Sequence, residues 1–588
     1  MDWKRKEKSF MDTKQKKSYV QYAWLILPIL HFGLSFWYER KILIFEEGAW
    51  DIFWSVSMDD TIGNRTQSFL LYAFGKLIAG VLIFLLWYVL YTVVKAVIKK
   101  KFPMHILGMF AFILIVLGAY YFMLWPSSFK WQDSFTLYGL ALRLIPWYWH
   151  HFLTSAWFVG CLMVFPHPII LSAIPYVGFA AVMLYLYHRI EKSFKPPIWS
   201  RPLIFLVYAA PETFLLVTQV YRNCIYAIIL CFYITFLVME DVDKAEFSTP
   251  KMVMIAGLSA LLSVWRTEGI LVGIVGIVLC VFKIYRLKKA KKLLTLVLYG
   301  IVLVVLIIPQ KIGDTKYYGK DYLIVSTIEP VKNILNSPNA NISYKGAEED
   351  LQAIAAYTPL EFIRQDGIDG VRGYFYGLGH EDFDQSLVGD EVQSRYLKGF
   401  LRLALHNPGT YIKSQMNFMF DALGIGFNFE MGSYDGEYIE NDYSYTLNSV
   451  GELDYVSAKG IQKIIRSEKY MKYSSEAAII RINYSDFINK AYITAVIRVL
   501  MLIFDLVIFV AEFIKLVRKK KANITYMMFA FLFFVQFGIV TMTIPAAYSL
   551  YFYSIFYPLL VMEVIYIYNK VAGENGEWKK KHKINREH

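Results

Sequence analysis

An all-α integral membrane protein, with about twelve membrane-spanning helices and a mostly helical external domain, is the architecture this sequence predicts. Three observations carry the expectation. The 588 residues are 56% hydrophobic and 17% aromatic, with a mean hydropathy of +0.39, far less polar than a soluble chain of this size. The apolar residues gather in runs long enough to cross a bilayer. Basic residues cluster in short runs beside those stretches: Lys4-Arg5-Lys6, Lys14 to Lys17, Lys99 to Lys101, Lys288 to Lys292, Arg518 to Lys521 and Lys579 to Lys583. That clustering is the positive-inside pattern, so the net charge of +13 reports topology and contact with anionic membrane lipid, and nucleic acid is excluded as a partner.

Taken in order, the expected spans are Tyr19–Trp37, Phe69–Val97, Met104–Leu124, Pro168–His188, Pro202–Val220 and Ile225–Met239. Met252–Val264, Gly269–Ile284, Leu293–Pro309, Ala491–Val517, Tyr526–Ile544 and Ser549–Tyr568 complete the set. An even number returns the C-terminus to the side of the N-terminus, and the Lys-rich composition of both ends places both in the cytoplasm. The first run follows a basic start and lacks a small-residue cleavage site, which fits a signal anchor. The apolar piece Phe152–Phe165 would break the parity if it crossed, so it reads as re-entrant or interfacial. Cys161, Cys224, Cys231 and Cys280 lie in apolar runs without metal-ligand spacing and read as small buried hydrophobes.

Outward-facing segments then fall at Glu39–Thr66, Trp125–His167, the turns near Arg222 and Arg266, and Gln310–Lys490. The last is too long for a plain loop. Glu348–Glu391 within it is acid-rich and punctuated by glycines, and Tyr396–Phe420 regains helical periodicity. A small, mostly helical external domain over the membrane is expected there. The partition is a basic N-terminus (1–18), a hairpin (19–99), a membrane core (104–309) with external loop 125–167, the external domain (310–490), C-terminal spans (491–569) and a basic tail (570–588).

The stretch from Trp125 to Thr154, WPSSFKWQDSFTLYGLALRLIPWYWHHFLT, concentrates the chemistry. It carries one acid, Asp133, followed by Ser134, and the pair His150 and His151. Leu137, Leu140, Leu144 and Ile145 recur at helical spacing, which suits a short helix in the interface. A lone carboxylate at a membrane surface can act as a general base or hold a divalent metal, and the residues leave both roles open. In an arbitrary loop such an acid is simply solvated; aromatic and apolar neighbours make its basicity tunable here. Adjacent histidines face different directions, so one can meet a phosphate while the other packs.

Arg266 and Glu268, in WRTEG, sit between two apolar runs. Charges at a membrane boundary are costly unless paired or functional, so the choice lies between an Arg–Glu pair and a ligand clamp. Arg222, in QVYRN, shares that side and either binds phosphate or snorkels. Asp59 and Asp60 are rival acids after the first span, read as an acidic external turn.

Trp-Pro at the end of a span, then Asp-Ser, then a His pair followed by Leu-Thr, resembles the first large external loop of bacterial GT-C-type glycosyltransferases, and RTEG resembles their Arg-x-(Asn or Glu)-Gly helix junction. The resemblance spans this loop, that junction and the general layout. It implies transfer of a sugar from a polyprenyl-phosphate donor to a glycan, lipid or protein acceptor on the external face of the cytoplasmic membrane. It further implies Asp133 as catalytic base, Arg266 as clamp on the lipid phosphate, and Glu268 as its orienter or an acceptor contact. Relatives carry an Arg-Tyr near the outer start of the last span; here Ala546–Tyr553, AAYSLYFY, has no basic residue. A transporter or flippase for lipid-linked oligosaccharide, and a surface-polysaccharide polymerase or ligase, are the competing expectations.

Overall fold

A backbone in lipid must satisfy its own hydrogen bonds, which long apolar runs do by winding into helices. The computed structural model describes residues 23–42, 62–99, 104–123, 137–138, 140–142, 144–167, 169–197, 199–200, 222–243, 248–281, 289–313, 321–366, 390–423, 493–520, 522–544 and 549–584, with a few isolated positions between them. Among these every regular element is a helix.

In chain order they are α1 (Ile26–Ile42), α2 (Ile62–Ile98), α3 (Met104–Met123), α4 (Phe152–Val164), α5 (Ile170–Phe194), α6 (Arg222–Val242), α7 (Thr249–Trp265), α8 (Gly269–Val281) and α9 (Lys289–Gly313). Next come α10 (Asp321–Leu335), α11 (Ala347–Ala355), α12 (Leu360–Ile363), α13 (Asp390–His406) and α14 (Pro408–Leu423). The chain closes with α15 (Ile493–Val517), α16 (Ile524–Thr543) and α17 (Tyr553–Ile584).

Seven described helices are long and apolar enough to cross a membrane: α2, α5, α6, α9, α15, α16 and the first part of α17. The large apolar side chains that α2, α9 and α15 leave exposed, such as Leu77, Ile301 and Leu500, have no place in water and mark a membrane-embedded protein. Twelve spans were expected. Three of the remaining apolar helices are shorter, Phe152–Val164, Thr249–Trp265 and Gly269–Val281, while α3 runs for 20 residues and is described as apolar over Ile106–Ala119. At 1.5 Å per residue a 13-residue helix reaches only about 20 Å, short of a hydrocarbon core of roughly 30 Å. The expected span Pro202–Val220 lies almost wholly outside the described residues.

Contacts group the chain into two compact units. The first holds α1 to α4 and α5 as far as Leu184. Its centre is α4, buried along nearly its whole length between α1 and α2. Gly75 on α2 and Gly160 on α4 meet where the helices come closest: a Cβ at Gly160 would stand 2.7 Å from Ile78 Cγ2 and 2.9 Å from the Gly75 carbonyl. His31 Nε2 lies 3.0 Å from the carbonyl of Val164 and ties α1 to the end of α4. α1 continues to Ile42, so Glu39 belongs to a helix and not to the external loop that the sequence suggested.

The second unit holds the rest of α5 and α6 to α17. α7, α8 and α9 pack together, and α17 packs along α6. Gly269, Gly273 and Gly276 form a small-residue stripe on α8; added Cβ atoms there would run into Leu262 O, Ser263 Oγ and Tyr233 Oη. The stripe lets α8 lie directly against α6 and α7. α10, α11, α13 and α14 form a helical cluster of their own. Its acidic α11 start (Glu348, Glu349, Asp350) suits a helix N-terminus, and Asp350 pairs with Arg402 of α13 at 3.3 Å.

Candidate functional site

The turn WRTEG joins α7 to α8. Trp265 ends α7, Arg266 is its extended C-cap, and Gly269 starts α8. Only glycine fits at 269, because a Cβ would collide with the carbonyl of Leu262. The turn thereby folds Arg266 inward, and both Arg266 and Glu268 are buried.

Arg266 Nε donates to Glu268 Oε1, and its Nη1 donates to Oδ1 of Asn223 in the first turn of α6. Its Nη2 reaches the carbonyl of Tyr551 at 3.5 Å. The guanidinium lies 5.9 Å from the Tyr226 ring centroid. Thr267 Oγ1 donates to Glu268 Oε2 at 3.3 Å, and Gln536 of α16 donates to the Glu268 carbonyl at 3.3 Å. Four elements thus converge: the α7–α8 turn, the start of α6, α16 and the 3₁₀ turn Ser549–Phe552 that precedes α17. Three of the five guanidinium N–H directions are used within the described residues, leaving two that can bind an oxyanion.

The stretch AAYSLYFY, marked out for lacking a basic residue, supplies this site with a backbone carbonyl at Tyr551. Arg222 opens α6 beside Asn223 and is partly buried.

In the first unit, His150 is buried edge-on to Trp147, ring centroids 4.5 Å apart, and its carbonyl accepts from Thr154 Oγ1 at 2.6 Å. His151 takes φ 70° and caps α4, its Nδ1 accepting from the Leu153 N–H at 3.2 Å. Asp133, Ser134, Asp59 and Asp60 lie outside the described residues. No three His, Cys, Asp or Glu among the described residues come together as a metal site. The four cysteines are buried, and none forms a disulfide.

Sequence reasoning passed over three charged groups inside the helices. Lys76 of α2 pairs with Glu39 of α1 at 2.6 Å and stands 3.6 Å from the Phe36 ring centroid. Arg189 of α5 donates to Glu240 near the end of α6 at 3.0 Å and to Asp243 just past it at 2.9 Å, while Lys251 of α7 binds Glu240 from the other side. Arg498, Asp505 and Glu512 are all buried on α15. Their seven-residue spacing in an apolar run is the signal that would have found them.

No protein-family model, curated protein or solved structure matches this chain.

Proposed function

We propose that the chain is a membrane glycosyltransferase of GT-C type that uses a polyprenyl-phosphate-linked sugar on the external face of the cytoplasmic membrane. The observation that carries this reading is the buried Arg266, held by Glu268 and Asn223 at a helix junction with two N–H directions left over among the described residues. A guanidinium preorganised in that way suits a phosphate oxygen. In the reaction, Asp133 takes the proton of an acceptor hydroxyl, whose oxygen attacks the anomeric carbon of the donor. The bond from that carbon to the phosphate oxygen breaks, polyprenyl phosphate leaves, and Arg266 stabilises its charge.

The arginine clusters at the two ends of α6 suit this topology. Arg266 with Asn223 is assigned to the external boundary, and Arg189 with Glu240 and Lys251 to the cytoplasmic one. Nucleotide sugars stay in the cytoplasm, so an external site takes a lipid-linked donor. The helical cluster α10 to α14 would then shape the acceptor side.

The test is transfer of labelled sugar from a polyprenyl-phosphate donor in membranes bearing the full chain. Asp133→Asn should lower turnover by about 10²–10⁴-fold, the usual contribution of a positioned base. Unaltered turnover removes the base assignment.

Transport of a lipid-linked glycan is the second reading, favoured by the buried charged row on α15, because ionisable groups within a span often mark a transport path. Movement of the lipid across vesicle membranes, with no sugar transferred, would select it.

A further inference from the structure

α15 and α17 run side by side in the second unit, and two contacts set their register. Arg498 lies with its guanidinium 5.1 Å from the Phe556 ring centroid. Glu512 accepts from Lys570 at 3.4 Å, an offset of 58 residues that the Arg498–Phe556 pair shares. Midway between the two pairs, Asp505 falls level with Glu563. Thr494, Ala495, Arg498, Met501, Asp505, Ile508 and Glu512 are the buried positions of α15, and all but Ala495 keep the alternating four- and three-residue spacing by which one helix seats on a parallel neighbour.

The upper and lower rungs of this ladder are satisfied. Arg498 rests on an aromatic face, and Glu512 is bound by Lys515, Lys570, the Asn523 N–H at 2.7 Å and Tyr566 at 3.4 Å. The middle rung differs. Asp505 is 0% exposed and Glu563 4%. Neither oxygen of Asp505, nor Oε1 of Glu563, has a hydrogen-bond donor among the described residues. Two facing carboxylates that deep in an apolar bundle cannot both keep a negative charge.

The surrounding titratable groups are engaged elsewhere. From α16, Tyr526 stacks edge-on against Tyr566 at 5.1 Å, at the level of Glu512. From α17, Tyr557 donates to the carbonyl of Val207. From α6, Glu240 is held by Arg189 and Lys251, and from α14, Tyr411 is partly buried and Lys413 exposed. The flanking charges on α15 itself, Arg498 and Glu512, each lie two turns away, about 10 Å along the axis.

We infer that Asp505 and Glu563 form a proton-binding site inside the membrane-spanning bundle, one proton held between the two carboxyls. The proton supplies the donor that both side chains lack and removes one of the two charges. The site is independent of the Arg266 site and of any sugar chemistry.

A lipid-soluble carbodiimide reacts with protonated carboxyls in apolar surroundings and tests this on the full chain in membranes. Peptide mass spectrometry should find one adduct per chain, on Asp505 or Glu563, forming at about pH 5 and fading toward about pH 9, a range that brackets ordinary and strongly shifted carboxyls. A water-soluble carbodiimide should leave both unlabelled. In Asp505→Asn or Glu563→Gln the like charge is gone, so labelling of the survivor should fade at a lower pH than in the unaltered pair. Absence of an adduct at every pH, adducts on both residues of one chain, or equal labelling by the water-soluble reagent would each overturn the inference. Protection by sodium but not choline chloride at constant pH would overturn it in favour of a sodium site.

Discussion

Asn223 and Glu240 stand at opposite ends of α6, and each receives an arginine from another part of the chain. Arg266 reaches Asn223, and Arg189 reaches Glu240 at 3.0 Å. The two lie about 26 Å apart along the helix, close to the thickness of a hydrocarbon core. A single helix therefore carries a polar anchor at each end and apolar contacts between.

Removing the guanidinium of Arg266 strands Glu268 and Asn223 in a buried place. Arg266→Ala should cost about 3–5 kcal/mol of stability, read as earlier thermal unfolding in detergent. Arg266→Gln combined with Glu268→Gln should cost less than the two single changes added together, since neither charge is then left alone. Additive losses would show that the pair is not coupled.

His151 holds a backbone conformation that side chains avoid and at the same time caps α4. His151→Ala keeps the strain and loses the cap, so it should destabilise by about 1 kcal/mol. His151→Asn, which can accept the same N–H and tolerates positive φ better, should retain most of the stability. Equal loss in both variants would reject the capping role.

Close approach at Gly160 makes it intolerant of any side chain. Gly160→Ala should lower stability by about 1–3 kcal/mol as its Cβ meets Ile78 and the Gly75 carbonyl. Gly178 on α5 has nothing within 4 Å, so Gly178→Ala should be neutral or slightly stabilising. The contrast in melting temperature between the two is the measurement.

Alkaline pH should loosen the helical cluster α10 to α14. Tyr344 donates to Asp350 at 2.9 Å, and burial first, then the Asp350 carboxylate, raises its phenol above the ordinary 10.0. A group raised in the folded state contributes stability that is complete below its unfolded value and lost as pH climbs toward the folded one. Circular dichroism should therefore show weakening above about pH 10, and Tyr344→Phe should blunt that dependence.

Several elements were legible before folding. The runs that became α2, α5, α6, α9, α15, α16 and α17 could be read from composition, because hydropathy and a 3.6-residue repeat are properties of neighbouring residues. So could Tyr396–Phe420, now α13 and α14, whose junction falls at Asn407 and Pro408. Arg266 and Glu268 stood out as charges between apolar runs, and they do pair. Asn223 did not stand out, because an asparagine beside an arginine in a turn has a dozen ordinary explanations. Glu39 was placed in a loop because its partner Lys76 lies on another helix.

The sequence by itself determined that this is a helical membrane protein, where most of its helices run, and that a charged turn interrupts two of them. Hydropathy accomplishes that locally, residue by residue. Only the tertiary structure decided which buried polar groups meet: Arg266 with Asn223, Arg189 with Glu240. Those pairings depend on the register between helices far apart in the chain, which side-chain packing selects and no local pattern encodes.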